Sequence, residues 1–117
     1  MKISQFKALI KEEVRKVLKE SKPLAGEFIW IEIEVNPDLK LIASVLDPAI
    51  VNKIDDTIEK LYSAREDKIA NGQAPAQSYY SGVNRLQSFI VAELKKKGVN
   101  AIEGEGDDNG IEINCYD

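Results

Sequence analysis

The stretch EFIWIEIEV, Glu27 to Val35, alternates residue by residue between two sets of side chains, the period of a β-strand. Ile29, Ile31, Ile33 and Val35 share one face; Phe28, Trp30, Glu32 and Glu34 share the other. Both faces therefore carry large apolar groups, and each calls for a cover. Asn36-Pro37-Asp38 is turn chemistry, because proline pre-sets one dihedral while Asn and Asp bond back to the backbone. After it, Leu39 to Leu46 reads as a second strand with Leu39, Leu41, Ala43 and Val45 on one face. Leu39, Ile42, Ala43 and Leu46 fit two helical turns as well, but the tight turn and the Val/Ile content favour a hairpin partner.

Downstream, Asp47-Pro48 marks a helix start, a capping carboxylate followed by proline at the first helical position. Val51, Ile54, Ile58, Leu61, Tyr62, Arg65 and Ile69 form its stripe, and Asn71-Gly72 supplies a left-handed stop. Gln73 to Ser78 is loop. A further helix is expected from Tyr79 or Ser81 to Lys97, with Val83, Leu86, Phe89, Ile90 and Leu94 inward and Lys95 to Lys97 at its negative end. Val99 to Glu103 and Ile111 to Tyr116 are strand candidates around GEGDDNG, where Asn109-Gly110 is a strong hairpin dipeptide.

Upstream, Ser4 can cap a helix in which Phe6, Leu9, Ile10, Val14, Val17 and Leu18 recur at three- and four-residue spacing, until Lys22-Pro23 stops it. The expected fold is a single α+β domain over residues 1–117. Its order is helix, β-hairpin, two helices, β-hairpin, with helices packed on an antiparallel sheet. Residues 1–22 are the amphipathic helix and 23–117 the sheet and helix pair. The opening MKISQFKALIKEEVRKVLKE, with its Lys11-Glu12-Glu13 step, resembles the start shared by many short uncharacterised proteins of marine bacteriophages and marine bacteria. The resemblance covers about a sixth of the chain, implies a phage or environmental origin, and carries no active site with it.

The 117 residues contain no histidine and a single cysteine, Cys115, so the usual acid/base at neutral pH and any Cys/His pair are missing. One cysteine makes no internal disulfide, no apolar run nears the roughly 20 residues that span a bilayer, and the start lacks a signal-peptide core; a cytoplasmic protein is expected. Net charge is −4 but unevenly placed. Met1 to Lys22 carries seven Lys/Arg and three Glu, whereas Glu103 to Asp117 carries six acidic residues and no basic one. Such ends attract one another within a chain or between copies.

Few residues suggest chemistry. Glu105, Asp107 and Asn109 fall at alternate positions, as in the first half of a calcium loop, but Glu112 and Tyr116 break the second half and a hairpin turn is favoured; no metal is expected. Cys115 shares a face with Ile111 and Ile113 and reads as a buried thiol. Glu32 and Glu34, with Glu112 if the hairpins pair, read as a solvated face rather than a catalytic pair. Tyr79, Tyr80 and Arg85 are candidates to line a pocket. Basic Lys7, Lys11, Arg15, Lys16 and Lys19 raise nucleic-acid binding as an alternative, weakened by interspersed glutamates and the acidic total. No catalytic residue, cofactor or membrane contact is expected. The leading expectation is a non-enzymatic interaction protein that self-associates through Phe28 and Trp30 or through the first helix's Phe6, Ile10, Val14 and Val17.

Overall fold

The computed structural model describes residues 23–117. Its elements are β1 (Phe28–Glu32), a single-turn helix α1 (Lys40–Ala43), α2 (Pro48–Ala70), α3 (Gln77–Lys96), β2 (Asn100–Glu103) and β3 (Gly110–Tyr116). The helix expected over residues 4–21 lies outside the described residues, and with it Phe6, Ile10, Val14 and Val17 and the basic set Lys7, Lys11, Arg15, Lys16 and Lys19.

The fold is α+β, with helices on one face of a three-stranded antiparallel sheet ordered β1-β3-β2. β3 is the centre. It pairs with β1 in the register Phe28↔Asn114, Ile29↔Ile113, Trp30↔Glu112 and Ile31↔Ile111, and with β2 through Ala101↔Cys115 and Ile102↔Asn114. Ladder bonds run past the strand ends, from Gly26 N to Cys115 O (3.0 Å) and from Ile33 N to Asn109 O (2.7 Å). This register puts Ile29, Ile31, Ile33, Ala101, Ile111, Ile113 and Cys115 on the covered face, all buried. α3 packs on β2 and β3, α2 packs on α3, and α1 packs on α2.

Eight of the nine largest fully buried side chains are isoleucines; Leu94 is the ninth. Isoleucine suits this sheet because its branched Cβ is stiff and fills the space between strands. Each such side chain, fully buried, contributes on the order of 1.5–3 kcal/mol. Among helix residues, α3 gives the core Tyr79, Val83, Leu86, Ile90, Val91 and Leu94, whereas α2 buries only Ile54 and Ile58. Phe89 is only partly buried and Ile69 is exposed, so the expected stripes are narrower than their spacing suggested.

Two expectations are corrected. Residues 39–46 form no strand and the first hairpin is absent: Lys40–Ala43 is helical, with Ile42 and Leu46 buried and Leu41 and Ala43 exposed. Asp38 Oδ1 accepts from Lys40 N at 3.1 Å and holds the start of that turn. β3 outcompetes the nearer segment because all three of its inward residues find apolar neighbours, while the strand reading would have turned Leu41 and Ala43 inward and left Ile42 outside. Val35 departs from the isoleucine face and is 62% exposed, since β1 ends before the left-handed Asn36 (φ 56°). The second correction concerns the hairpin tip. Asp107 and Gly110 bridge around Asp108-Asn109, so Asn109 has no positive φ and Asn109-Gly110 are not its central pair; the left-handed residue is Gly106 (φ 63°).

Gln87 is the one buried polar side chain of the described core. Its Nε2 donates to Gly104 O and Glu112 O, both at 2.9 Å, where β2 leaves the ladder. The amide ties α3 to the mouth of the β2–β3 hairpin. Gln87→Ala orphans Gly104 O and is expected to cost about 1–3 kcal/mol in urea unfolding. Gln87→Glu places a carboxylate against two carbonyls, which raises its pKa. Its stability is therefore fullest in acid and is lost as pH rises through that value, so the variant is weaker against wild type at pH 7 than at pH 4.

Candidate interaction surfaces

The sheet's second face has no cover among the described residues. Phe28 (56% exposed), Trp30 (37%), Ile102 (50%) and Tyr116 (49%) all point outward there. Phe28 and Ile102 flank Asn114 in the register, and Tyr116 lies diagonal to both, so the three ring one polar residue. Trp30 continues the patch along β1 and lies over Gly110, where any side chain would overlap its ring. The Trp30 indole N–H donates to Glu32 Oε1 at 2.8 Å. Beyond β1's free edge a cleft lined by Phe28, Trp30, Leu39 and Leu41 extends the apolar surface towards α1.

The same face is acidic. Glu32 and Glu112 lie on it and the three strands hold no basic residue, whereas Glu103, paired with the inward Ile113, turns to the helix side and accepts from Ser88 Oγ at 2.8 Å. Glu112 opposes Trp30, accepts from Asn114 Nδ2 at 3.0 Å, and accepts a longer bond from Gly106 N at 3.4 Å. It thereby anchors the hairpin loop. Glu34 departs from this set and instead lines a small cleft with Asp55, Glu59 and Tyr62.

The expected Tyr79/Tyr80/Arg85 pocket does not assemble. Tyr79 is buried with its ring edge-on to Tyr80 (centroids 5.2 Å apart), and its hydroxyl reaches the hairpin tip at Asp108 O (3.0 Å) and Asn109 Oδ1 (3.1 Å). Arg65 Nη1 donates to that hydroxyl at 3.4 Å, and the guanidinium lies 5.3 Å from the Tyr62 ring centre. Burial pushes the Tyr79 phenol above its ordinary 10.0, opposed by the hydrogen bond from Arg65. The cluster reads as a latch between α2, α3 and the hairpin. Arg85 lines a separate groove between α2 and α3, with Lys53 and Lys60 around a floor of Leu61, Leu86 and Phe89. Its volume is about 330 Å³. Lys53 Nζ sits 5.1 Å from the Phe89 ring centre, and Gly82 lets Leu61 approach α3 closely. The stripes Lys53/Thr57/Lys60 and Ser78/Gly82/Arg85/Phe89 carry this groove in the sequence, at helical spacing on facing helices.

The calcium-like residues have other partners. Asp107 Oδ1 accepts from Asn109 N at 2.8 Å, Asn109 Oδ1 meets Tyr79, and Glu105 is exposed. Among the described residues no group of three or more His, Cys, Asp or Glu is placed to hold a metal ion. Cys115 is buried, and burial, with Glu27 adding to it, raises its thiol above 9.0, which disfavours the reactive thiolate. Also among the described residues, no helix is long and apolar enough to cross a membrane.

Tyr79→Phe removes the latch and is expected to cost about 1 kcal/mol at neutral pH. In the wild type the unfolded tyrosine ionises near 10.0 while the folded one keeps its proton. The stabilisation is thus full below pH 10 and falls as pH rises through the folded value. Denaturation midpoints in alkali should converge for the two proteins.

Comparison of the chain with protein-family models, with curated proteins and with solved structures found no match in any of the three.

Proposed function

We propose that this is a non-enzymatic interaction protein that associates with a second copy of itself through the open face of its sheet. The observation that carries the reading is the cluster of Phe28, Trp30, Ile102 and Tyr116, four large side chains left 37–56% exposed on one face. Scattered apolar residues are ordinary on a surface, but a contiguous aromatic-rich patch with a polar rim is the composition of an interface core. Glu32 and Glu112 lie within it, so two copies repel electrostatically and pairing strengthens as salt screens that repulsion. Light scattering and sedimentation from about 1 µM to 1 mM, a range spanning weak association, should show reversible pairing. Phe28→Asp or Ile102→Lys should weaken it about tenfold or more. A strict monomer throughout, or pairing indifferent to both changes, contradicts the reading.

A second reading is favoured by the α2–α3 groove. Lys53, Lys60 and Arg85 surround an apolar floor in an otherwise acidic chain, and none of the three is ion-paired among the described residues. That arrangement fits a small amphiphilic anion, its carboxylate on the cations and its hydrocarbon on Leu61 and Phe89. Decanoate should raise the melting temperature, and Arg85→Ala with Phe89→Ala should remove the shift. No shift at saturating decanoate rules the reading out.

A further inference from the structure

We propose that the free edge of β1 takes an extended peptide of a partner protein as a fourth strand, antiparallel to β1, with apolar side chains opposite Ile29 and Ile31 and a basic one opposite Glu32. The site is the strand's backbone edge and the cleft beside it, separate from the open face on which copies associate. Hydrogen-bond parity defines it. Cys115 N donates to Glu27 O (2.9 Å) and Ile33 N to Asn109 O (2.7 Å), and the register between them is continuous. Along an antiparallel strand the amides turn to one neighbour and then the other, residue by residue. Ile29 and Ile31 therefore bond to β3, while Phe28, Trp30 and Glu32 each turn an N–H and a C=O to the free side. None of these outward groups has a partner among the described residues. Edges of this kind are ordinarily blunted by lysine, proline or a covering element. β1, FIWIE, has neither residue, and its single charge stands at its end.

The space beside the edge suits an added strand. A cleft of about 380 Å³ lies between β1 and α1, with Ile29 and Ile31 on the strand side and Leu39 and Leu41 on the other, beside Asp38 and Lys40. An added strand sends its side chains alternately to the two faces of the sheet. Those opposite Ile29 and Ile31 enter the cleft, where Leu41 is 37% exposed. Those opposite Phe28, Trp30 and Glu32 extend the open face, and there a basic group meets Glu32. In this mode of recognition main-chain bonds supply affinity and the alternate pockets select the sequence.

A second copy does not fit the edge. Ile42 is buried in the core and fixes α1 beside β1. Another β1 would bring its own α1 to the same seam, and the two turns would collide. The occupant is therefore a lone strand with no layer of its own on the helix side.

Trp30, the only tryptophan, stands on this edge and reports its filling. The probe is the acetylated, amidated pentapeptide KVTVT, which sets lysine opposite Glu32, the valines opposite Ile31 and Ile29, and the threonines opposite Trp30 and Phe28. Added to full-length protein at a concentration where scattering shows monomer, it should shift the tryptophan emission saturably. The threonine amides point at β1 in this register and the valine amides point away. N-methylation of both threonines should weaken binding about tenfold or more, whereas N-methylation of both valines should change it less than about twofold. Leu41→Asp should also weaken it about tenfold, with a cooperative urea transition showing that the domain is folded. Ile102→Lys, two strands from the edge, should leave peptide binding unchanged, so self-association and peptide binding are read separately. Absence of a saturable shift up to about 10 mM peptide, or an equal response to the two methylated peptides, overturns the proposal.

Discussion

The double pairing of β3 is the constraint on which the molecule depends. Its inward side chains, Ile111, Ile113 and Cys115, lie between the isoleucines of β1 and Ala101 of β2. Its outward side chains, Glu112, Asn114 and Tyr116, form the middle of the open face. Its backbone also receives α3, because the Glu112 carbonyl takes the Gln87 amide as well as Gly104 N. Pairing β1 with β3 joins the two ends of the described chain, a closure whose entropic cost the helix hairpin between them reduces by folding compactly. Without β3, β1 has no partner and the isoleucine face has no centre.

Much of this was legible in the sequence because period and punctuation agree. The alternation of β1 and β3, the helix start at Pro48, the Gly72 stop and the α2–α3 order all follow from local chemistry, although the expected Asp47 cap does not form and that carboxylate pairs with Lys97 instead (3.2 Å). What local chemistry could not supply was strand partnership. Residues 39–46 satisfy both periods, and the contest was decided by β3, some seventy residues away, which no nearby residue announces. Gln87 gave no signal either, since a glutamine on a helix is ordinarily solvated and only the carbonyls of Gly104 and Glu112 explain its burial. Tyr79 and Arg85 looked like neighbours six positions apart, yet the helix turns Tyr79 to the hairpin tip and Arg85 to α2. The outward placement of Phe28 and Trp30 followed directly from the period of two, and Ile102 and Tyr116 joined them through register alone.

Two apolar surfaces of opposite charge result. The sheet face sets aromatic groups among carboxylates; the groove sets leucines and Phe89 among cations. The two surfaces share apolar character and differ in the sign of the charge around it. The polar clusters between them, Gln87 with its carbonyls and Tyr79 with Arg65, hold the hairpin to the helices and so fix the shape of the sheet face.

Side-chain NMR across a concentration series tests the central claim most directly. If the open face is where copies meet, the resonances of Phe28, Trp30, Ile102 and Tyr116 shift together as concentration rises, while Leu61 and Phe89 in the groove stay fixed. Shifts centred on the groove, or association with the face resonances unmoved, would contradict it.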